Sequence, residues 1–111
     1  MKMYIFVILK KGPIKAANKE TEDSLFMGHM QNMIRLATEG KLTVAGPFKK
    51  NIKNFSGLFI LNTQSIEEAK KLLETDPAVK AKLLEPELFE WYGSAALPMY
   101  LKYHDTISKS H

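Results

Sequence analysis

Apolar positions along the chain fall into four short runs separated by polar, helix-patterned segments. Residues 3–10 (MYIFVILK) and 55–62 (FSGLFILN) are apolar without alternation and rich in β-branched and aromatic side chains, so both read as strands buried on two faces. Residues 41–48 (KLTVAGPF) make a shorter strand broken by Gly46-Pro47. Residues 84–92 (LEPELFEWY) make a fourth, which Pro86 marks as an edge. After a polar loop over 14–20, the N-cap candidates Thr21, Asp23 and Ser24 predict a helix running to about Glu39, where Gly40 supplies the stop. At roughly 100° per residue, Phe26, Met30, Met33, Ile34 and Ala37 form its apolar stripe, opposite Gln31, Arg35, Thr38 and Glu39. Ser65 followed by Glu68 is a capping-box pattern for a second helix, with Ala69, Leu72 and Leu73 facing inward. Thr75-Asp76-Pro77 interrupts it, and residues 77–82 read as one further turn.

Strand, helix, strand, strand, helix, strand is the split βαβ order of a ferredoxin-like sandwich, an α+β fold with a four-stranded antiparallel sheet. Right-handed crossovers put both helices on one face of that sheet. The two central strands are nevertheless apolar on both faces, so one face lacks a cover. A second copy of the chain is the simplest one, which predicts a homodimer through the sheet faces. The domain is expected to span residues 1–92. Residues 93–111, starting GSAALP, form a C-terminal extension that is a pocket lid, a dimer arm or a flexible tail.

Composition narrows the function classes. With 111 residues the chain is a single domain, and 45% apolar and 25% charged residues are ordinary for a soluble globular protein. It has no cysteine, hence no disulfide and no thiol nucleophile. The opening MKMYIFVILKK resembles a signal peptide, but its apolar run is short and Lys-Lys-Gly-Pro follows where small residues would mark cleavage. A cytoplasmic protein is expected, with no membrane partner, since nothing approaches the roughly 20 apolar residues of a span. The formal charge of +4 is mild and its lysines are scattered, which argues against a nucleic-acid partner. Strand 55–62 faintly echoes an RNA-binding RNP1 strand without its basic and aromatic set. No metal or cofactor is expected. The methionines 27, 30 and 33 have the spacing of helical core filler, and His104, Asp105 and His111 lack a helix-spaced partner ligand.

His29 is the one histidine outside the tail, and it falls at the edge of the helix stripe near Leu25 and Leu36. In the split βαβ topology one end of the fold collects Lys10-Lys11, the start of the first helix with His29, the Gly46-Pro47-Phe48 strand end, and the Thr75-Asp76-Pro77 turn. His29 and Asp76 are then an acid-base couple. A carboxylate accepting from one imidazole nitrogen fixes the tautomer and leaves the other free to move a proton. A helix N-terminus at that end would also favour an anionic group. Structural readings stand beside these. Asp-Pro is an ordinary N-cap and first-position pair, Gly-Pro an ordinary strand terminator, and an edge histidine an ordinary packing residue. Phe48 and Trp91 are the candidate apolar walls.

Gly28-His29, Gly40-Lys41-Leu42, Ala45-Gly46-Pro47-Phe48, Ser65-Ile66-Glu67-Glu68-Ala69, Asp76-Pro77-Ala78-Val79 and the closing Trp91 together resemble the YciI-like, YCII-related family. The resemblance covers most of the chain up to Trp91. It implies a dimeric α+β barrel and a cleft holding a His–Asp pair, here His29 and Asp76. A related member is a dehydrochlorinase acting on a chlorinated hydroquinone, so the scaffold hosts proton abstraction with elimination from a small ring compound. The expected function is a small-molecule enzyme of that lyase type, with Gly46, Pro47, Phe48 and Trp91 around the substrate. The alternative is a non-catalytic dimer that binds a small ligand. Two departures bear on loop shape: no glycine in the 49–54 turn, and Lys82 where the family commonly has one.

Overall fold

In the computed structural model, which describes residues 1–98, the sheet is built on β1 (Lys2–Lys11). β1 pairs with β3 (Phe55–Leu61) on one side and β4 (Leu84–Gly93) on the other, and β2 (Leu42–Pro47) completes the antiparallel order β2-β3-β1-β4. α1 (Lys19–Thr38), α2 (Ile66–Leu73) and the single turn α3 (Pro77–Lys80) cover one face. The core lies between them: Ile5, Val7 and Leu9 of β1 and Phe59 and Leu61 of β3 meet Leu36, Ala69, Leu73 and Ala78. The ferredoxin-like α+β fold is therefore present, with Pro86 on an edge strand. No helix among the described residues is long and apolar enough to cross a membrane.

α1 begins earlier than the polar 14–20 segment suggested. Its N-cap is Asn18, whose side chain accepts from the Thr21 amide at 2.8 Å, so the first turn is Lys19 to Glu22 and not a loop. Its far end closes as a Schellman motif. Gly40 takes φ +77°, its amide donates to Ala37 O at 3.1 Å, and the Lys41 amide donates to Leu36 O at 2.9 Å. The expected stripe is also rotated. Leu36 and Asn32 are the buried residues of α1, whereas Met30 and Ile34 are 54% and 63% exposed and Met27 also faces outward. The reason is polar: the inward line Leu25, His29, Asn32, Leu36 brings two hydrogen-bonding side chains to the turn before α3. Core filling by Met33 persists, but Met27 and Met30 fill nothing.

Both glycine-poor turns solve their geometry without glycine. Asn54 (φ +56°) and Lys82 (φ +63°) are the non-glycine residues with left-handed backbone among those described. In the first turn the Asn51 amide nitrogen donates to Lys49 O and Phe55 O, while its oxygen accepts from the Lys53 and Phe55 amides. The side chain thus replaces backbone pairing. At the second, the Lys82 carbonyl accepts from the Ile14 amide at 3.2 Å, tying the loop after β1 to the entry of β4.

The sheet face away from the helices is apolar, and no helix among the described residues covers it. Register places Phe6 beside Ile60 and Phe89, Ile8 beside Leu58, and Tyr4 beside Trp91. Tyr4 is fully buried, its hydroxyl donates to Ser94 O at 2.6 Å, and burial raises its pKa. Phe89 is 48% exposed. Lys10 and Glu87 form an ion pair at the end of this face; that hydrogen bond raises the Lys10 pKa against the opposing effect of burial.

A left-handed backbone costs a lysine about 1 kcal/mol and a glycine almost nothing, against a smaller entropic loss for glycine in the unfolded chain. Lys82→Gly should therefore raise the unfolding free energy by ~0.5 kcal/mol in urea melts, whereas a decrease would mean the lysine side chain is itself stabilising.

Candidate functional site

The contact between His29 and Asp76 begins with their neighbours in the chain. Gly28 sits on α1 directly over Pro77: a Cβ at position 28 would lie 2.8 Å from the Pro77 ring. Bare backbone there lets α1 settle onto α3, and the next residue on each side then meets its opposite. His29 Nδ1 hydrogen-bonds Asp76 Oδ2. One turn further on, Asn32 Oδ1 accepts from the Thr75 hydroxyl at 3.1 Å and from Arg35 Nη2 at 2.8 Å. Arg35 also donates to Thr75 Oγ1 at 3.0 Å and to the Glu39 carboxylate. Two adjacent polar pairs, 29 with 76 and 32 with 75, thus fix how α1 lies against the turn.

Asp76 serves two partners with its two oxygens. Oδ1 caps α3, accepting from the amides of Ala78 at 2.9 Å and Val79 at 3.5 Å, while Oδ2 faces the imidazole. It is 1% exposed, so both bonds lie out of water. The capping reading of Asp-Pro and the pairing reading are both realised, by different atoms of one group. His29 is held from its flanks as well. Its ring stacks on Phe59 with centroids 5.9 Å apart at 20°, and Phe26 meets it edge-on at 6.1 Å. About an eighth of the side chain, 12%, reaches solvent.

The pair does not sit at the end of the sheet. Because α1 starts at Lys19, His29 is about three turns inside the helix, over Phe59 and its partner Val7 in mid-strand. The α1 N-terminus is therefore too far away to favour an anion here. The nearby helix N-terminus belongs to α3, and Asp76 already occupies its amides. A cavity of about 390 Å³ opens toward the strand end, lined by Phe26 with Lys11, Ile14, Lys15 and Leu83. Phe26 borders both this cavity and the imidazole, while His29 is not among the cavity's lining residues.

The other expected site residues fall into two groups, one at the end of β2 and one on the far face of the sheet. Gly46 and Pro47 pair with Leu58 and Gly57 at the end of β2, one and two positions past the Ala45 that adjoins Phe59. Phe48, 40% exposed, packs on Phe55 with centroids 5.7 Å apart. Trp91 is not brought to the pair. It packs against Tyr4 and Phe6 on the face away from the helices, because strand residues alternate faces and Trp91 is in register with Tyr4. It therefore cannot wall the His29 side of its own chain. His104, Asp105 and His111 lie outside the described residues. Asn32 was missed in the sequence; its i+3 spacing from His29 was the available signal.

A methyl group at position 28 should push α1 off Pro77. Gly28→Ala gains up to about 1 kcal/mol of helix propensity, so a small change in stability is expected. The His29 ring signals in an NMR spectrum should nonetheless move away from their Asp76-bonded positions. Unchanged ring signals would show that the helices absorb the methyl without parting.

Comparison with curated proteins gives no significant match. Among solved structures, the chain is similar to 5-chloro-2-hydroxyhydroquinone dehydrochlorinase from Burkholderia phenoliruptrix AC1100, in complex with 2,5-dihydroxybenzoquinone. The TM-score is 0.55 at 22% identity, covering 81% of this chain and 95% of that one, a likeness of fold. The family model described as the YCII-related domain matches residues 3–92, from the first residues of β1 to nearly the last of β4. The chain belongs to the YCII-related domain family.

Proposed function

We propose that this protein is a small-molecule enzyme in which His29 transfers a substrate proton and Asp76 holds the imidazole for that task. The observation that carries this reading is the hydrogen bond between His29 Nδ1 and a carboxylate almost wholly removed from solvent. A carboxylate accepts, so Nδ1 carries a proton, and in the neutral ring Nε2 then keeps its lone pair. Nε2 has no hydrogen-bond partner among the described residues. Stacking on Phe59 holds the ring plane, so the free nitrogen has a fixed direction. Such a base takes a proton from a hydroxyl or an activated C–H of a small ring compound. Where the ring carries a leaving group, that group departs with its bonding pair, and the net change is loss of HX. The structural neighbour's name describes a dehydrochlorinase, which makes elimination the reaction class to test first. Gly46, Pro47 and Phe48 are the substrate contacts proposed at the β2 end.

The proposal includes a homodimer formed through the open sheet faces. Phe6, Ile8, Val44, Leu58 and Phe89 support it, being apolar residues left partly or largely exposed on a face with no helix over it among the described residues. Trp91, on that same face, is assigned to the dimer seam and not to the wall of its own chain's site.

Chloride release from 5-chloro-2-hydroxyhydroquinone is the first assay, and His29→Ala should lower kcat/KM by about 10²–10⁴. Asparagine still caps α3, so Asp76→Asn should keep its fold. Its amide would present N–H to Nδ1 and move the imidazole proton to Nε2, which ¹⁵N shifts of the ring report. Ring shifts identical to wild type would remove the pair from the mechanism. Ligand retention without turnover, lost in His29→Ala, would instead identify a binding protein. For the dimer, sedimentation should give twice the chain mass for the native protein and the monomer mass for Phe89→Lys. A native monomer would refute that part.

A further inference from the structure

We infer that the cleft between α2, α3 and the edge strand β4 is a second ligand site, built for a small amphiphilic monocarboxylate. This cleft, about 650 Å³, lies on the opposite side of α3 from His29 and uses no residue of the His29–Asp76 pair. Its volume falls in the range of small-molecule pockets, about 300–1,000 Å³. The inference is independent of the acid-base reading above.

The floor is apolar. Leu73 comes from α2, Val79 from α3, and Leu84, Pro86 and Leu88 are the alternate residues of β4 that face the helices. The rim is cationic, with Lys70, Lys80 and Lys82 from three different segments. None of these lysines forms an ion pair with a described carboxylate, whereas Lys10 and Lys41 are paired with Glu87 and Glu68. Two carboxylates also border the cleft, Glu74 and Glu85. Glu85 stands opposite Lys10 across the β1–β4 ladder, but Lys10 is already paired with Glu87, so Glu85 counts with Glu74 at the cleft. Three lysines against two carboxylates leave one positive charge in excess. An apolar floor under an excess of unpaired positive charge suits a ligand with an apolar body and one anionic head. A neutral ligand leaves the lysines unanswered, and a polyanion wastes the floor.

Octanoate and 1-octanol share a body and differ in the charge of the head, which makes them the probes. In ¹H–¹³C NMR of the intact protein, octanoate should shift the methyls of Leu73, Val79, Leu84 and Leu88, and octanol should bind more weakly. Removing two rim charges in a Lys70→Gln/Lys80→Gln variant should weaken octanoate by about tenfold, as expected for two solvent-exposed charge contacts. His29→Gln should leave octanoate affinity within about twofold, separating this site from the acid-base pair. Equal binding of octanol, insensitivity to the lysine substitutions, or shifts centred on Phe26 and Phe59 would overturn the inference. So would an unchanged octanoate affinity with altered sedimentation of the lysine variant, which would make the cleft a contact between copies.

Discussion

A buried carboxylate facing in two directions ties the middle of α1 to the turn before α3. Asp76 ends the loop after α2 and starts α3, and at the same time it anchors the middle of α1 through His29. Removing it would leave two amides and one imidazole nitrogen without partners in a place with almost no water, a cost of about 1–3 kcal/mol per unsatisfied group. The contacts between α1 and the 75–77 turn gather around it. Gly28 admits Pro77, Asn32 engages Thr75, and Arg35 closes the network over the same turn. The chemistry available to His29 is thus inseparable from how one short turn of helix is capped.

The opposite side of the sheet obeys a different constraint. β1 alternates between side chains that the helices bury completely, Ile5, Val7 and Leu9, and the partly exposed Phe6 and Ile8. Tyr4 is the exception, closed over by Trp91 and tied to Ser94. Lys10 and Glu87 are the one ion pair on this face among the described residues. If the face is covered by another copy, that pair becomes a partly desolvated charge couple, and such couples discriminate between orientations better than they add affinity.

Much of this was legible from residue types alone. Strand positions followed from unbroken apolar runs, the helix ends from Gly40 and Ser65, and the meeting of His29 with Asp76 from topology. What escaped had local causes. Asn18 lies inside a polar segment just before three stronger-looking caps, Thr21, Asp23 and Ser24, and a start at any of those sets His29 nearer the sheet end than its place over mid-strand. The hydrophobic wheel chose Met30 and Ile34 as the inward face because it weighs apolarity. Asn32 and His29 win that face through hydrogen bonds, which no hydropathy pattern records. Trp91 has the ring expected of an apolar wall, but its parity in β4 fixes it on the other face. Lys82 stands where the resemblance implies a glycine and Asn54 closes a turn that has none, and the backbone takes the left-handed form at both.

The arrangement of Asp76 also supplies an internal gauge. The amides of Ala78 and Val79 point at one oxygen while the imidazole addresses the other, so any change in the electron density of that carboxylate is felt by two backbone protons. Protonation of His29, arrival of a polarising group at its far nitrogen, or separation of the two helices would each alter those protons differently from their neighbours. α3 is too short to do much as a scaffold. As a listening post on the ring across from it, one turn of helix is enough.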